Sequence, residues 1–234
     1  MNKLILAFLL AAATPWALAD TVKLSGQQAG NDLNKLDLSV EVGSATVQGA
    51  DTDTISWTVE LKPQDGWFTS KRSVLEKLQD AAVQAESDDG ELSLEMDYPG
   101  RLDGDDVEAT WVVTVPRTFA VELGLGVGEA KITAVSGGVD AHVGVGDIEI
   151  NVPGGAVTAE AGVGNVDVTT ATTSLGAISL EAGVGDADVN IRGERHKGEQ
   201  QYGPSSKLHI AGDGKDSIEL EVGVGDLDLT VTGE

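Results

Sequence analysis

Acidic and amide side chains recur along this chain in a fixed setting. Glu129, Asp147, Asn165, Asp186 and Asp226 each follow a Gly-Val-Gly triplet, at successive spacings of 18, 18, 21 and 40 residues. Two residues beyond four of them a second series appears, as Glu149, Asp167, Asp188 and Asp228. Carboxylates held one layer apart repel, and a hard divalent cation relieves that repulsion. Asp147, Asn165, Asp186 and Asp226 are therefore candidate calcium ligands, and calcium is the one cofactor these residues suggest. A competing role is purely structural, since short Asp and Asn side chains satisfy backbone N–H groups at turns. The spacing differs from that of calcium-binding nonapeptide solenoids: the period is twice as long and the Gly-Gly-x-Gly-x-Asp order is missing.

Other chemistry is thinly represented. There is no His-Glu-x-x-His and no Gly-x-Ser-x-Gly. His142, His196 and His209 lack ligand spacing, and His142 takes the place of Glu160, Glu181 and Glu221 in the other repeats, which turns it outward. Carboxylate pairs for glycoside hydrolysis are available in number. However, stacking aromatics for a sugar cleft are scarce, with aromatic residues at 4% of the chain. No glycine-rich phosphate loop precedes a helix. No catalytic residue is assigned.

The elements that position the acidic series follow from alternation. Val139, Ala141, Val143 and Val145 precede one glycine doublet; Ile148, Ile150 and Val152 follow it. The same pattern surrounds Val184 and Val224. Period-two alternation marks half-buried strands. Its parity changes at each doublet, so the chain inserts a corner there, where glycine can adopt positive φ. A constant period near twenty residues predicts an all-β β-solenoid with stacked corners and rungs about 4.8 Å apart. The alternative is an antiparallel sandwich joined by glycine-rich hairpins.

Around these repeats the chain reads as one domain, residues 20–234, after a cleavable signal peptide at residues 1–19. Lys3, the apolar run Leu4–Ala13 and Ala17-Leu18-Ala19 have the order of a secretory leader. Residues 33–62 carry a divergent first rung, its corner at Gly43-Ser44, and a strand ending at Pro63. Residues 69–87 predict an inserted amphipathic helix, capped by Thr69 or Ser70, with Val74, Leu75, Leu78, Ala82 and Val83 on one face. Asp103–Asp106 form an acidic turn. Residues 192–216 form a loop insertion that is locally basic, through Arg192, Arg195, His196, Lys197 and Lys207. Its charges are either simply solvated or aimed at an acidic polymer or a second copy. No obvious cap follows Val231 in the last rung, which predicts weak end-to-end self-association.

Composition narrows the partners. Net charge is −24, which argues against nucleic acid and anionic lipid surfaces. The chain has no cysteine and 30 glycines. Beyond the leader no apolar stretch approaches membrane-spanning length, so a periplasmic or extracellular, non-membrane-spanning product is expected.

Val112-Val113-Thr114-Val115-Pro116-Arg117, then Val121-Glu122-Leu123 and the Gly-Val-Gly rungs, resemble the bacterial putative-adhesin domain with β-strand repeats. That family is related to the toast-rack domains of envelope-stress proteins. Asn31–Thr58 resembles its usual opening. The resemblance implies a single-stranded right-handed β-helix in an envelope or surface setting, with no catalytic residues to carry over. The expected function is non-enzymatic: an envelope scaffold, adhesion or interaction module with an envelope protein or surface polymer as partner, linked to envelope-stress sensing. The alternative is a protein that binds or cleaves polysaccharide along the solenoid face with calcium's help.

Overall fold

The computed structural model describes residues 20–64, 71–100, 102, 106–200 and 204–233. The leader at 1–19, the helix-capping Thr69 and Ser70, and most of the acidic turn at Asp103–Asp106 lie outside them.

The body is a stack of parallel strands that bend at their glycine doublets. Three rungs run through the bend as single long strands: β2 (Lys35–Ala50), β7 (Ala120–Thr133) and β8 (Val139–Val152). Three others are split there: β9 (Val157–Val163) with β10 (Val166–Thr170), β11 (Leu175–Val184) with β12 (Ala187–Ile191), and β16 (Asp216–Val224) with β17 (Leu227–Val231). Neighbouring rungs pair in parallel and in register, Val121 against Val139 and Gly128 against Gly146. The divergent rung fits the same register, with Gly43 opposite Gly128. Antiparallel hairpins across the doublets are thereby excluded. The all-β, mostly parallel architecture agrees with the expectation from alternation.

Inward positions are filled by aliphatic side chains of modest size. Val139, Ala141, Val143, Ile148, Ile150 and Val152 of one rung are all buried, as are Ile218, Leu220, Val222, Leu227, Leu229 and Val231 of another. One detail of the alternation is corrected. Val145, Val184 and Val224, expected inside, point out to solvent. The corner occupies four residues, Gly144–Asp147, between buried Val143 and buried Ile148, and the valine sits at its tip.

The glycines permit this corner by having no side chain. Gly128 and Gly146 adopt φ of 142° and 141°. A Cβ on Gly146 would overlap the carbonyl oxygen of Gly128 one rung away. Two costs coincide there: a backbone conformation L-residues avoid and a backbone-to-backbone clash.

The order of the rungs in space departs from their order in the chain. β9 pairs with β16, and β11 pairs with the other edge of β16. β10 and β12 flank β17 in the same way. The rung at 216–231 is thus inserted between two that precede it in sequence. Buried Thr172 donates from Oγ1 to Oδ2 of buried Asp216 at 2.5 Å, pinning the start of the inserted rung. At its far end Thr232 N–H reaches the Thr170 carbonyl at 2.8 Å, and Arg192 N–H reaches the Val231 carbonyl at 2.9 Å. The expectation that this rung offers an open edge for end-to-end association is therefore corrected: both of its edges are paired.

Antiparallel strands close both ends of the stack. Beyond β2 lie β5 (Glu91–Asp97) and β6 (Val107–Pro116), both parallel to it. They are covered by β4 (Ala82–Asp88) and β3 (Thr54–Pro63), which run antiparallel, and β1 (Val22–Ala29) pairs with β3. Beyond β11 and β12 lie antiparallel β15 (Ser206–Ile210) and β13 (Glu194–Lys197), with short β14 (Glu199–Gln200) beside β15. The basic stretch at 192–216 is this second cap and not a plain loop. The inserted helix is also shorter than expected: α1 spans Lys71–Leu78, burying Val74 and Leu78. Ala82 and Val83 belong instead to β4, which turns into β5 through Asp89 and Gly90, both at positive φ. Asp-Gly between alternating runs is the signature of a tight two-residue hairpin, and it ends the helix reading at 69–87.

Replacing Gly146 with Ala is expected to destabilise the chain by about 2–4 kcal/mol in urea unfolding, from strain and clash together. Gly124→Ala is the control. A Cβ there meets nothing within 4 Å, and stability should change by less than about 0.5 kcal/mol.

Candidate functional site

Stacking turns the acidic series into three files on the outer surface. The corner file runs, in spatial order, Ser44, Glu129, Asp147, Asn165, Asp226, Asp186. From Asp147 onward its members are joined through backbone amides. Asp147 Oδ1 accepts from Asn165 N–H at 2.8 Å and from Asn165 Nδ2 at 3.2 Å. Asn165 Oδ1 accepts from Asp226 N–H at 3.1 Å, and Asp226 Oδ1 from Asp186 N–H at 2.9 Å. Each of these oxygens thus replaces a ladder partner that the bend would otherwise remove. Among the described residues no group of three or more His, Cys, Asp or Glu side chains is placed to hold a metal ion. The four candidate calcium ligands do line up as the sequence predicts, and Asp147, Asn165 and Asp226 each use one oxygen as a backbone cap.

A second file lies on the strands after the corner. Lys131, Glu149, Asp167, Asp228 and Asp188 stand opposite one another, and Lys197 follows. Cations end it on both sides. Lys131 Nζ lies 2.7 Å from Glu149. Arg195 and Lys197 lie 3.4 Å and 3.5 Å from Asp188. The two acids in the middle have no such relief. Burial, then the neighbouring carboxylates Asp228, Asp147 and Glu149, push the Asp167 carboxyl above its ordinary range. Burial followed by Asp188 and Asp226 does the same to Asp228, against the opposing pull of Arg195 and Lys197.

The third file precedes the corner and runs His142, Glu160, Glu221, Glu181, Lys207. His142 is exposed as expected and lies between two carboxylates, Nε2 3.0 Å from Asp140 and Nδ1 3.3 Å from Glu160. Lys207 Nζ pairs with Glu181. The cations of the 192–216 stretch therefore answer the acidic files of their own chain.

Between the corner file and the second file the surface is concave. A shallow groove of about 700 Å³ is lined by Ser44, Thr46, Glu129, Lys131, Asp147, Glu149, Asn151, Asn165, Asp167 and Thr169. Hydroxyls, amides and carboxylates dominate it over Ala130, Ile148 and Ile150, and among the described residues no aromatic ring faces it. On the other side of the corner file stand the exposed valines of the Gly-Val-Gly triplets. Alternation alone placed these valines inside; the signal for their true position is the four-residue gap between buried positions.

Such a capped stack of parallel rungs defines an all-β, solenoid-like protein. A putative cell adhesion protein from Clostridium sporogenes ATCC 15579 shares the fold, with a TM-score of 0.56 and 21% identity over 89% of this chain and 99% of that one. Putative adhesins from Bacteroides fragilis NCTC 9343 (TM-score 0.30, 14% identity, 89% and 97% covered) and Parabacteroides distasonis ATCC 8503 (TM-score 0.28, 13% identity, 89% and 97% covered) match more loosely. The resemblance to putative-adhesin domains seen in the sequence thus reappears at the level of the fold. No protein-family model matches the chain, and no curated protein matches it. Among the described residues no helix is long and apolar enough to cross a membrane.

Two outcomes follow from the files. A carboxyl whose folded pKa is raised binds its proton more tightly in the folded chain than in the unfolded one. The contribution of Asp167 and Asp228 to stability is therefore greatest below the ordinary value of 3.8 and falls as pH rises through their folded values. Calorimetry should show the double variant Asp167→Asn, Asp228→Asn melting above the wild type at pH 7, with the gap closing towards pH 4. Asn165→Asp removes the Nδ2 donor and places carboxylates at five successive corners. Its expected cost is about 1 kcal/mol at low ionic strength, shrinking as salt is added.

Proposed function

We propose that this chain is an exported, non-catalytic interaction module of the cell envelope, acting in adhesion. The observation that carries this reading is the repetition of the same outward side chains on rung after rung of a stack covered at both ends by antiparallel strands. Such a body offers long, preformed binding area. Among the described residues its polar groups are held mostly by one another, without the convergent nucleophile, base and orienting group that catalysis on a substrate needs. The fold it shares with the putative cell adhesion protein from Clostridium sporogenes supports the same reading. In this proposal the coil is right-handed, the hand taken by nearly all crossover connections between parallel strands. Residues 1–19 direct export, and the setting is periplasmic or extracellular. A link to envelope-stress sensing rests on the resemblance of the repeats to toast-rack domains.

A second reading has one observation in its favour, the polar groove from Ser44 to Thr169. Hydroxyls, amides and carboxylates in a shallow channel suit a polysaccharide chain, with calcium bound along Asp147, Asn165, Asp186 and Asp226 as an aid. A glycan array and a calcium titration followed by thermal melting test it together. Hits that need calcium, with a raised Tm, would favour this reading over the first.

For the first reading, beads coated with purified residues 20–234 are expected to adhere to bacterial or host cell surfaces well above uncoated beads. The full chain, expressed in its source, should be recovered from the envelope or the medium. Retention in the cytoplasm together with no adhesion above background would sink the proposal.

A further inference from the structure

We propose that the row of corner valines is a docking ridge for a basic amphipathic helix of a partner protein. The proposal rests on the reading of the chain as an interaction module and names the partner's chemistry. Val127, Val145, Val163, Val224 and Val184 stand one above another in register. Each is 45–49% exposed. Together they present an apolar strip on the order of a few hundred Å², the size at which a patch on a monomer is often functional. Glycines on both sides of every valine carry no side chain, so the valine is the one side chain that projects from each Gly-Val-Gly triplet.

The choice of side chain separates docking from mere corner building. An extended corner residue needs β-branching at most, and threonine has valine's shape with a hydroxyl for solvent. This chain uses threonine at partly exposed strand positions such as Thr133, Thr158, Thr169 and Thr230, with Val112 of β6 the exception at 46% exposed. At all five corner tips it has valine.

Charge and period then select the occupant. Along one side of the ridge runs the corner file of Glu129, Asp147, Asn165, Asp226 and Asp186; along the other run Glu160, Glu221 and Glu181. A second copy would bring the same carboxylates and a net charge of −24 against them, and an anionic membrane is repelled likewise. The complement is an apolar stripe bordered on both sides by Lys or Arg. A helix repeats such a stripe every 5.4 Å, close to the rung spacing of about 4.8 Å, so the two drift apart by only about 2 Å over four intervals. An extended strand repeats one face every ~6.8 Å and falls out of step within two rungs. Ridges of this kind seat in the grooves of a helix surface.

The test uses the purified chain and a fluorescein-labelled 18-residue helical peptide of Leu and Lys, with Leu confined to one stripe. A scrambled peptide of the same composition and charge is the comparison. Fluorescence anisotropy should show the amphipathic peptide binding at least tenfold tighter than the scrambled one. Changing Val127, Val145, Val163 and Val224 together to Thr should remove at least tenfold of that affinity while leaving Tm unchanged. Equal binding of the two peptides, or binding indifferent to the threonine changes, would mean bare charge attraction and overturn the proposal. A wild-type dimer in sedimentation that the threonine variant loses would assign the ridge to a second copy and overturn it too. Should the threonine variant melt early, the contact is located on the otherwise wild-type stack. The chain has no cysteine, so Glu129→Cys, beside the ridge, and Ser174→Cys, at the opposite turn, each accept one fluorophore. The peptide must perturb the first and spare the second; any other pattern overturns the proposal. Loss of peptide binding with bead adhesion intact would remove this ridge while leaving the adhesive function standing.

Discussion

The structure depends on how closely one rung's backbone can approach the next at the bend. Each corner places a glycine against the carbonyl of the glycine below, at a separation that leaves no room for a Cβ. Once that contact is made, neighbouring rungs must bend at the same position, because a bend one residue out of step would drive a side chain into backbone. Register, parallel direction and the alignment of the three outward files all follow. The small aliphatic core follows as well, since Val, Ile, Leu and Ala on the inner face can repeat from rung to rung without steric conflict.

Repetition has an electrostatic consequence that the ends of the stack resolve. A side chain that suits one rung recurs on the next, so carboxylates accumulate in columns. The chain interrupts the corner column with an amide at Asn165, which donates to one neighbour and accepts from another. It ends one column with cations, Lys131 on one side and Arg195 with Lys197 on the other, and ends the third with Lys207 on one side and the imidazole of His142 on the other. The strands that cap the stack against edge pairing also carry most of these cations. At the β11–β12 end, the strands that pair with the last parallel rung also bring the cations that answer its carboxylates. What stays unrelieved is the middle, at Asp167 and Asp228.

Much of this was legible in the sequence, because a period of 18 residues and a change of parity leave few alternatives to stacked corners. The divergent rung at 35–50 was legible for the same reason. The tip valines were misplaced because alternation counted every second residue up to the glycine, whereas the chain leaves the core one step earlier, after Val143. Val83 fitted a helical face with Ala82 and, equally, a strand face with Ala85. Asp89-Gly90 was the signal that should have decided between them. The basic stretch was visible as basic, but its target was not: salt bridges to Asp188 and Glu181 depend on which rung ends the stack. That order is not written in the repeat. Residues 178–191 and 218–231 have the same pattern, so either fits beside β9 and β10. Only particular contacts, such as Thr172 with Asp216, distinguish them.

The inserted rung also bears on how the chain assembles. A plain coil can grow upward, each turn laid on a finished one. Here β11 and β12 must wait: the surface they finally rest on is formed by residues some forty positions downstream. A chain that nucleated at the β2 end would meet, after β10, a gap that only the downstream rung can fill. The contacts that close the gap are long in sequence and slow to form. A chain shortened before residue 216 would lack an internal layer while keeping its outer cap, and its two exposed parallel edges would face each other across the width of one strand.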